Sequence, residues 1–537
     1  MMRSFRLFAQ RWLSTSLAAL LLLASSVIAA EPAVVVSVKS YSELLTDSQY
    51  LGNALRQPVI GLALPGFLAQ VTGGKGLKGL ETAKPIGAYL TVSSEGQPKD
   101  FVVFVPVASE QQFSETLEAL LSAPTTTGMT RQYQPKNGGR PIFAKVLPKH
   151  FMFAQNAEAL TDTADPDKLV KSTADITIEI DLTKIADNLK EGFLTQIEAQ
   201  TATAELRKPS ETEAQRFGRE AGQKLSLEAV RRLAMDGERL SLGLNVDAKA
   251  KNMSLDLGFT AKPGTALAQA CASYAKTESP FANIVSAQTI GSFLISSPLS
   301  DTVQATLLQM LANGERAQKE KNQNLPADKL ENATRALRNT TDTIRKSIQR
   351  GRWDQALAVN SAGAGKIQVL LAVKAANARE LAQLFEDVAR NESAIQFDIA
   401  KVGSTRIHSI QLPPDVEREK HLGNGPMFLA FSDESLLFAH GTDSLDALKA
   451  ALEGKASKTP RAPISLRVGL SKLLPLIPNV TSQVLEHTKS AFAAGNDEIA
   501  LEIASQPQGA TLRLEIQEGI LQLIGLAVQS RTVAPGR

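Results

Sequence analysis

The chain has 537 residues, 43% of them hydrophobic, with 58 Lys and Arg against 55 Asp and Glu. That length and apolar content supply two or more buried cores rather than one, and a single cysteine, Cys271, excludes an intramolecular disulfide. Aromatic residues make up only 5%, which argues against a surface that stacks sugars or bases.

The N-terminus reads as a targeting segment. Arg3, Arg6 and Arg11 precede an apolar run from Leu17 to Ile28, and small residues follow at Ala29 and Ala30. This is the layout of a secretory signal cleaved near Ala30. The run is shorter than the roughly 20 residues of a membrane span, and Ser25 and Ser26 interrupt it. The alternative is an uncleaved anchor helix reaching back to Phe5. No Cys stands near the cleavage site, so no lipoprotein anchor is expected. Residues 1–30 carry three Arg and no acid, which leaves 55 residues of each sign in the remainder. Sequence-independent phosphate binding needs a cationic surplus, so no nucleic-acid partner is expected. The expected location is extracytoplasmic, secreted or periplasmic, with no stable membrane span once the signal is gone.

Val34 to Val38 then reads as a strand, followed by a helix over Glu43 to Ala54. Phe101, Val103 and Val105 alternate along another strand. Ser109 with Gln112 three residues on marks a helix start, and that helix is expected to bury Phe113, Leu117 and Leu120. Ile142, the pair Leu147-Pro148 and Phe151 to Ala154 continue the pattern, and Ile176, Ile178, Ile180 and Leu182 alternate as a further strand. A polar helical segment covers about Asn188 to Met235. A hairpin follows, with Leu240, Leu242, Leu244 and Val246 turning into Met253, Leu255, Leu257 and Phe259. Cys271 shares an apolar helix face with Leu267 and Tyr274, the habit of a small core residue rather than a thiol nucleophile.

The series then runs again. Phe293 to Ile295 and Asp301 to Leu311 resemble the first strand and helix, and a helix over about Ala327 to Arg350 carries the stripe Leu330, Leu337, Ile344 and Ile348. Ala356 to Leu381 follows Ala88 to Phe113 at a constant offset of 268, which is 356 less 88. Val369, Leu371 and Val373 take the strand positions, Asn377 with Glu380 the helix start, and Leu381, Phe385 and Val388 the apolar stripe. Ile407, Leu412-Pro413, Leu436 to Ala439, and the alternating Ile464, Leu466, Val468 and Leu470 continue it. The hairpin of Ile499, Leu501 and Ile503 with Leu512, Leu514 and Ile516 closes it.

The reading is a duplication: a signal peptide at 1–30, a first half at 31–283 and a second half at 284–537. Each half is expected to be α+β, built from β-hairpin-plus-helix units, with mainly antiparallel sheets and helices on one face. In this organisation the chain resembles large uncharacterised exported bacterial proteins of the domain-of-unknown-function kind. That resemblance rests on no signature motif and implies no active site.

Chemical motifs are sparse. His150, His408, His421, His440 and His487 show no metal-ligand spacing, although His408 and His440 fall on candidate strands of one unit. Ser273 to Lys276 spells S-x-x-K without the companion elements of a Ser/Lys acyl enzyme. Gly73 to Gly76 and Gly363 to Lys366 lack the spacing or the hydroxyl of a phosphate loop, and Asp162, Asp165 and Asp167 do not fit an EF-hand. No catalytic, cofactor-binding or metal residue is assigned, and no cofactor is expected. The favoured expectation is an exported non-catalytic protein that binds an unidentified protein or small-molecule partner at or between its two lobes. The alternatives are an extracytoplasmic hydrolase without a local motif, an envelope structural component, and a membrane-surface binder using the basic helix near 327–350.

Overall fold

A computed structural model describes residues 32–532 apart from 72–73, 75, 94–96, 137, 205–212, 287, 364, 391, 455–461 and 478–479. The expected signal at 1–30 lies outside the described residues. Through residue 261 the chain forms β1 (Pro32–Val38), α1 (Tyr41–Ala54), α2 (Pro58–Val71), β2 (Ile86–Val92), β3 (Pro98–Pro106), α3 (Glu110–Leu117), β4 (Thr125–Thr127), β5 (Thr130–Tyr133), β6 (Ile142–Leu147), β7 (His150–Ala154), α4 (Pro166–Leu169), β8 (Ile176–Asp181), α5 (Asp187–Ala204), α6 (Glu213–Asp236), β9 (Gly237–Asp247) and β10 (Asn252–Ala261). Next come α7 (Ala266–Ala275), β11 (Thr289–Pro298), α8 (Asp301–Asn322), α9 (Ala327–Gln349), β12 (Arg352–Ser361), β13 (Ile367–Lys374) and α10 (Ala378–Ala389). They are followed by β14 (Ile395–Val402), β15 (Thr405–Ile410), α11 (Val416–Leu422), β16 (Met427–Phe431), β17 (Ser435–Gly441), α12 (Ser444–Glu453) and β18 (Ile464–Gly469). The last are α13 (Leu470–Leu473), α14 (Ser482–Ala491), β19 (Glu498–Gln506), β20 (Gly509–Gln517) and α15 (Glu518–Thr532).

Two compact units result. Among the described residues the first takes in 32–195, 234–261 and 521–532, the second 196–233 and 262–520. Within the first, every strand pair is antiparallel and the order is β10-β9-β8-β1-β2-β3-β7-β6-β5-β4. Within the second, also antiparallel throughout, it is β20-β19-β18-β11-β12-β13-β17-β16-β15-β14. Adding ten to each strand number of the first order yields the second. The α+β class read from the sequence holds.

Helices are not confined to one face. In the first unit Val102 and Phe104 pair with Ala154 and Met152 and are buried with Leu160, in the 3-10 turn Glu158–Leu160. The intervening Val103 and Val105 pair with Phe153 and Phe151, and Val105, Phe151 and Phe153 pack with Phe113 of α3. In the second unit Leu370, Ala372, Ala439 and Leu437 bury against Leu448 of α12, whereas His408 and Phe431, on the opposite face, meet Phe385 of α10. The reason is in β3 itself: Phe101 to Val105 is a continuous apolar run, the mark of a strand covered on both sides.

That run also misdirects the choice of face. Phe101 is half exposed, while Val102 and Phe104 are the most buried residues of β3; Leu370 and Ala372, not Val369 and Leu371, are their counterparts. The helix stripe shifts as well, because Leu120 is exposed and Leu121 buried, and Leu384 is buried while Leu381 is only partly so. At the offset of 268 burial agrees at Val102 with Leu370, Phe104 with Ala372, Thr116 with Leu384 and Leu121 with Ala389, but not between strand and helix, where Ala108 and Glu110 are exposed and Ala376 and Ala378 buried. The first strand keeps its phase at 269 (358 less 89), pairing Tyr89 with Ala358 and Thr91 with Asn360, all buried. A register irregularity in β2 between Leu90 and Val92 accompanies that one-residue difference. Volumes compensate at this place. Gly87 faces Phe104, whose ring a Cβ would overlap, whereas in the other hairpin Ala356 faces Ala372.

Candidate functional site

The second unit carries a groove of about 570 Å³ over β11, β18 and β19. In β11, Ser292 and Leu294 lie opposite Arg467 and Ser465 of β18, and those in turn lie opposite Ala500 and Glu502 of β19. Alternation puts these side chains on one face, the face whose core begins at Leu294. Ser292 and Ser465 are buried hydroxyls in central strands, where apolar residues would ordinarily continue the core.

Charge is arranged across the strands. Arg467 donates to Glu502 at 2.8 Å and to Glu498 at 3.5 Å, each the diagonal neighbour of its own partner, Ala500. The Glu502 carboxylate, followed by the charge of Glu498, holds the guanidinium pKa above its usual value despite opposing desolvation. At the mouth, the Thr289 hydroxyl accepts from the Ser286 backbone N–H at 2.9 Å and donates to Asn360 at 2.6 Å. Asn360 donates to Gln368, and Gln368 to the Thr442 carbonyl, so the rim is fixed by a hydrogen-bonded ladder. The described lining is four hydroxyl residues, one Arg, two Glu and apolar walls from Val285, Ile290, Leu294 and Ala462; it contains no His, Lys or Cys. Such a set can orient a polar ligand by hydrogen bonds; two carboxylates against one guanidinium favour a neutral or cationic one.

A second polar cluster sits in the first unit. Asp47 of α1 is 9% exposed, and one of its carboxylate oxygens has no hydrogen-bond partner. Burial, reinforced by the charges of Asp175 and Glu43, pushes its pKa up to about 6, and Lys39 only partly opposes this. Asp175 is committed elsewhere, accepting from the Val246 N–H at 2.7 Å.

The residues singled out from the sequence lie apart from both places. His408 in β15 and His440 in β17 are separated by β16 and do not form a pair. The His408 ring packs among Phe385, Phe397 and Phe431, and its Nδ1 accepts from the Asp398 N–H at 3.3 Å. Burial lowers its pKa against the pull of Asp398. His440 is buried with neither ring nitrogen in a hydrogen bond of ordinary geometry; burial lowers its pKa, which the Pro426 carbonyl opposes. His150 packs edge-on to Phe104, and burial lowers its pKa against Asp167. His421 lies in α11 and His487 in α14.

Cys271 is buried in α7, and burial pushes its thiol pKa up. Ser273 spends its hydroxyl on the Gln269 carbonyl of the same helix, and Asp165 caps α4 through the Asp167 N–H. Gly363 and Gly365 take positive φ in the β12–β13 turn, as do Gly74 and Gly76 in theirs; Gly73, Lys75 and Ala364 lie outside the described residues. In α9, Ile348 is buried and Leu330, Leu337 and Ile344 are partly so, and the helix packs on α8 and α10. That apolar stripe is therefore occupied by protein. Among the described residues no group of His, Cys, Asp or Glu could hold a metal ion, and no helix is long and apolar enough to cross a membrane.

The groove escaped sequence reading because its residues come from three strands far apart in the chain. The available signal was Ser292, Ser465 and Arg467 inside otherwise apolar central strands. No family model, curated protein or solved structure matches the chain.

Proposed function

We propose that this chain is an exported, non-catalytic binding protein that takes a neutral or cationic polar ligand, rich in hydroxyl or amine groups, in the groove of its second unit. The observation that carries the reading is the pair of buried hydroxyls, Ser292 and Ser465, on the core face of adjacent strands, with the half-exposed Glu498–Arg467–Glu502 array beside them. Polar groups in central strands cost stability unless something uses them. Export is supported by the pattern of Arg3 to Ala30, and a duplicated origin by the two strand orders and the shared burial phases.

The experiment is a thermal-shift and ligand-observed NMR screen of polyols, sugars, amino acids and polyamines against the wild type, Glu502→Gln and Ser286→Trp. Ser286 is exposed at the mouth, so the indole obstructs entry without entering the core. Ligands that stabilise the wild type and lose at least tenfold in affinity in both variants support the reading. Ligands whose affinity is unchanged in both variants, or turnover of a ligand, overturn it.

A further inference from the structure

The helix α2 is built the wrong way round for a helix that only serves its own fold. Its fourteen residues, Pro58 to Val71, contain no charged side chain. A surface helix ordinarily turns its bulky apolar residues inward. Here the residue facing α1 is Gly61: a Cβ there would stand 3.0 Å from the Gln49 Cα, and a Cβ on Gly52 would stand 2.8 Å from the Gly61 nitrogen. The helices thus meet through glycine. The large residues point away, with Val59 68%, Leu62 67% and Phe67 60% exposed. The C-terminal helix α15 extends the surface, because Gln529 donates to the Arg56 carbonyl at 2.8 Å, at the corner between α1 and α2, and Ile524 and Val528 of α15 are also exposed.

We infer that α2 is a membrane-interface helix that docks the first unit on an anionic lipid surface. Charge selects this occupant. From Ser48 to Leu80 the sequence holds Arg56, Lys75 and Lys78 and no Asp or Glu, although acids and bases are almost equal over the whole chain. An uncharged apolar helix flanked by cations matches a bilayer boundary, where acyl chains lie beneath a negative headgroup layer. At 1.5 Å per residue α2 is about 21 Å long, shorter than the roughly 30 Å hydrocarbon core, so it lies in the interface and does not cross. The inference is independent of the groove, which belongs to the other unit.

The test uses the full chain and vesicles of phosphatidylcholine and phosphatidylglycerol at three to one, compared with phosphatidylcholine alone. A Phe67→Trp variant reports contact through the quenching, by lipids brominated near the headgroup, that exceeds the quenching of the wild type, whose own Trp12 and Trp353 give the background. Quenching of that Trp on anionic vesicles, reduced at high salt, is expected. The variant Val59→Ser/Leu62→Ser/Phe67→Ser should lose at least tenfold in vesicle partitioning with its melting temperature held, since all three sites are exposed. Because both proteins share residues 1–31, any lipid affinity of that segment is common to them. Quenching no greater than that of the wild type, or equal partitioning of the triple variant and wild type, overturns the inference. So does a dimer in solution that the triple variant dissolves, which would assign the surface to a second copy.

Discussion

Asp47 should destabilise the folded chain at neutral pH, and replacing it should raise stability in a pH-dependent way. Its carboxyl pKa rises from 3.8 to about 6, chiefly through burial and then through Asp175 and Glu43. Between those values the folded chain holds a proton that the unfolded chain has released, so stability falls as pH rises from about 4 to 6, and the loss is complete above about 6. At about 1.4 kcal/mol per unit, the loss at pH 8 is about 3 kcal/mol. Asp47→Asn removes the charge, but its amide inherits a site lacking partners, which costs about 1 kcal/mol. A net gain of about 1–2 kcal/mol at pH 8 remains, or roughly 3–6 °C in Tm for a unit of this size. Calorimetry of both proteins from pH 4 to 8 is the assay. The gain should vanish at pH 4, where the folded carboxyl is protonated. An equal gain at both ends of the range, or a lower Tm for the variant at pH 8, would refute the reasoning.

His408→Phe should lower stability at pH 7.5 by about 1–2 kcal/mol, because the Asp398 N–H loses its acceptor. The wild type should in addition weaken as pH falls below about 6.5, since burial depresses the folded pKa and the unfolded ring takes up the proton first; that His408-dependent component should be absent in urea melts of the variant. Cys271→Ala should cost no more than about 1.5 kcal/mol, and the wild-type thiol should resist an aqueous disulfide reagent until the chain is unfolded, which a kinetic titration measures. Gly441→Ala should cost about 3 kcal/mol or more, seen as loss of soluble expression or a large drop in Tm, because φ is +116° and a Cβ would run into the Ile367 carbonyl.

Much of the fold was legible because β3 to α3 and β13 to α10 are local patterns. The caps show how far such patterns reach. Ser109 accepts from the Gln112 N–H as its sequence suggests, whereas Asn377 takes a left-handed conformation and donates to Glu380. Both begin helices, by different means. Which strand face is buried was less legible, since a run such as Phe101 to Val105 offers apolar residues to both sides and only tertiary covering ranks them. The groove was hidden for a related reason: Ser292 and Ser465 are unremarkable in their own segments and acquire meaning only when register sets them side by side.

Register also shows what would have diverged under the proposed duplication. Carried through the strand pairings, Ser465, Arg467, Glu498 and Glu502 take the places of Thr177, Glu179, Arg239 and Gly243. Buried hydroxyls persist, as Thr177 and Ser465, while the charges change sign: Glu179 with diagonal Arg239 in the first unit, Arg467 with diagonal Glu498 in the second. Stability alone is indifferent to which sign stands where, because an exposed ion pair such as Arg467 with Glu498 contributes at most about 1 kcal/mol. A bound ligand is not indifferent, because it meets a different charge at each place. The added Glu502, where the first unit has glycine, makes the groove face more acidic in the second unit alone. With one strand order in both units and two helices between the corresponding strands of each, ligand selection would then have accompanied divergence of one copy, and the apolar character of α2 that of the other.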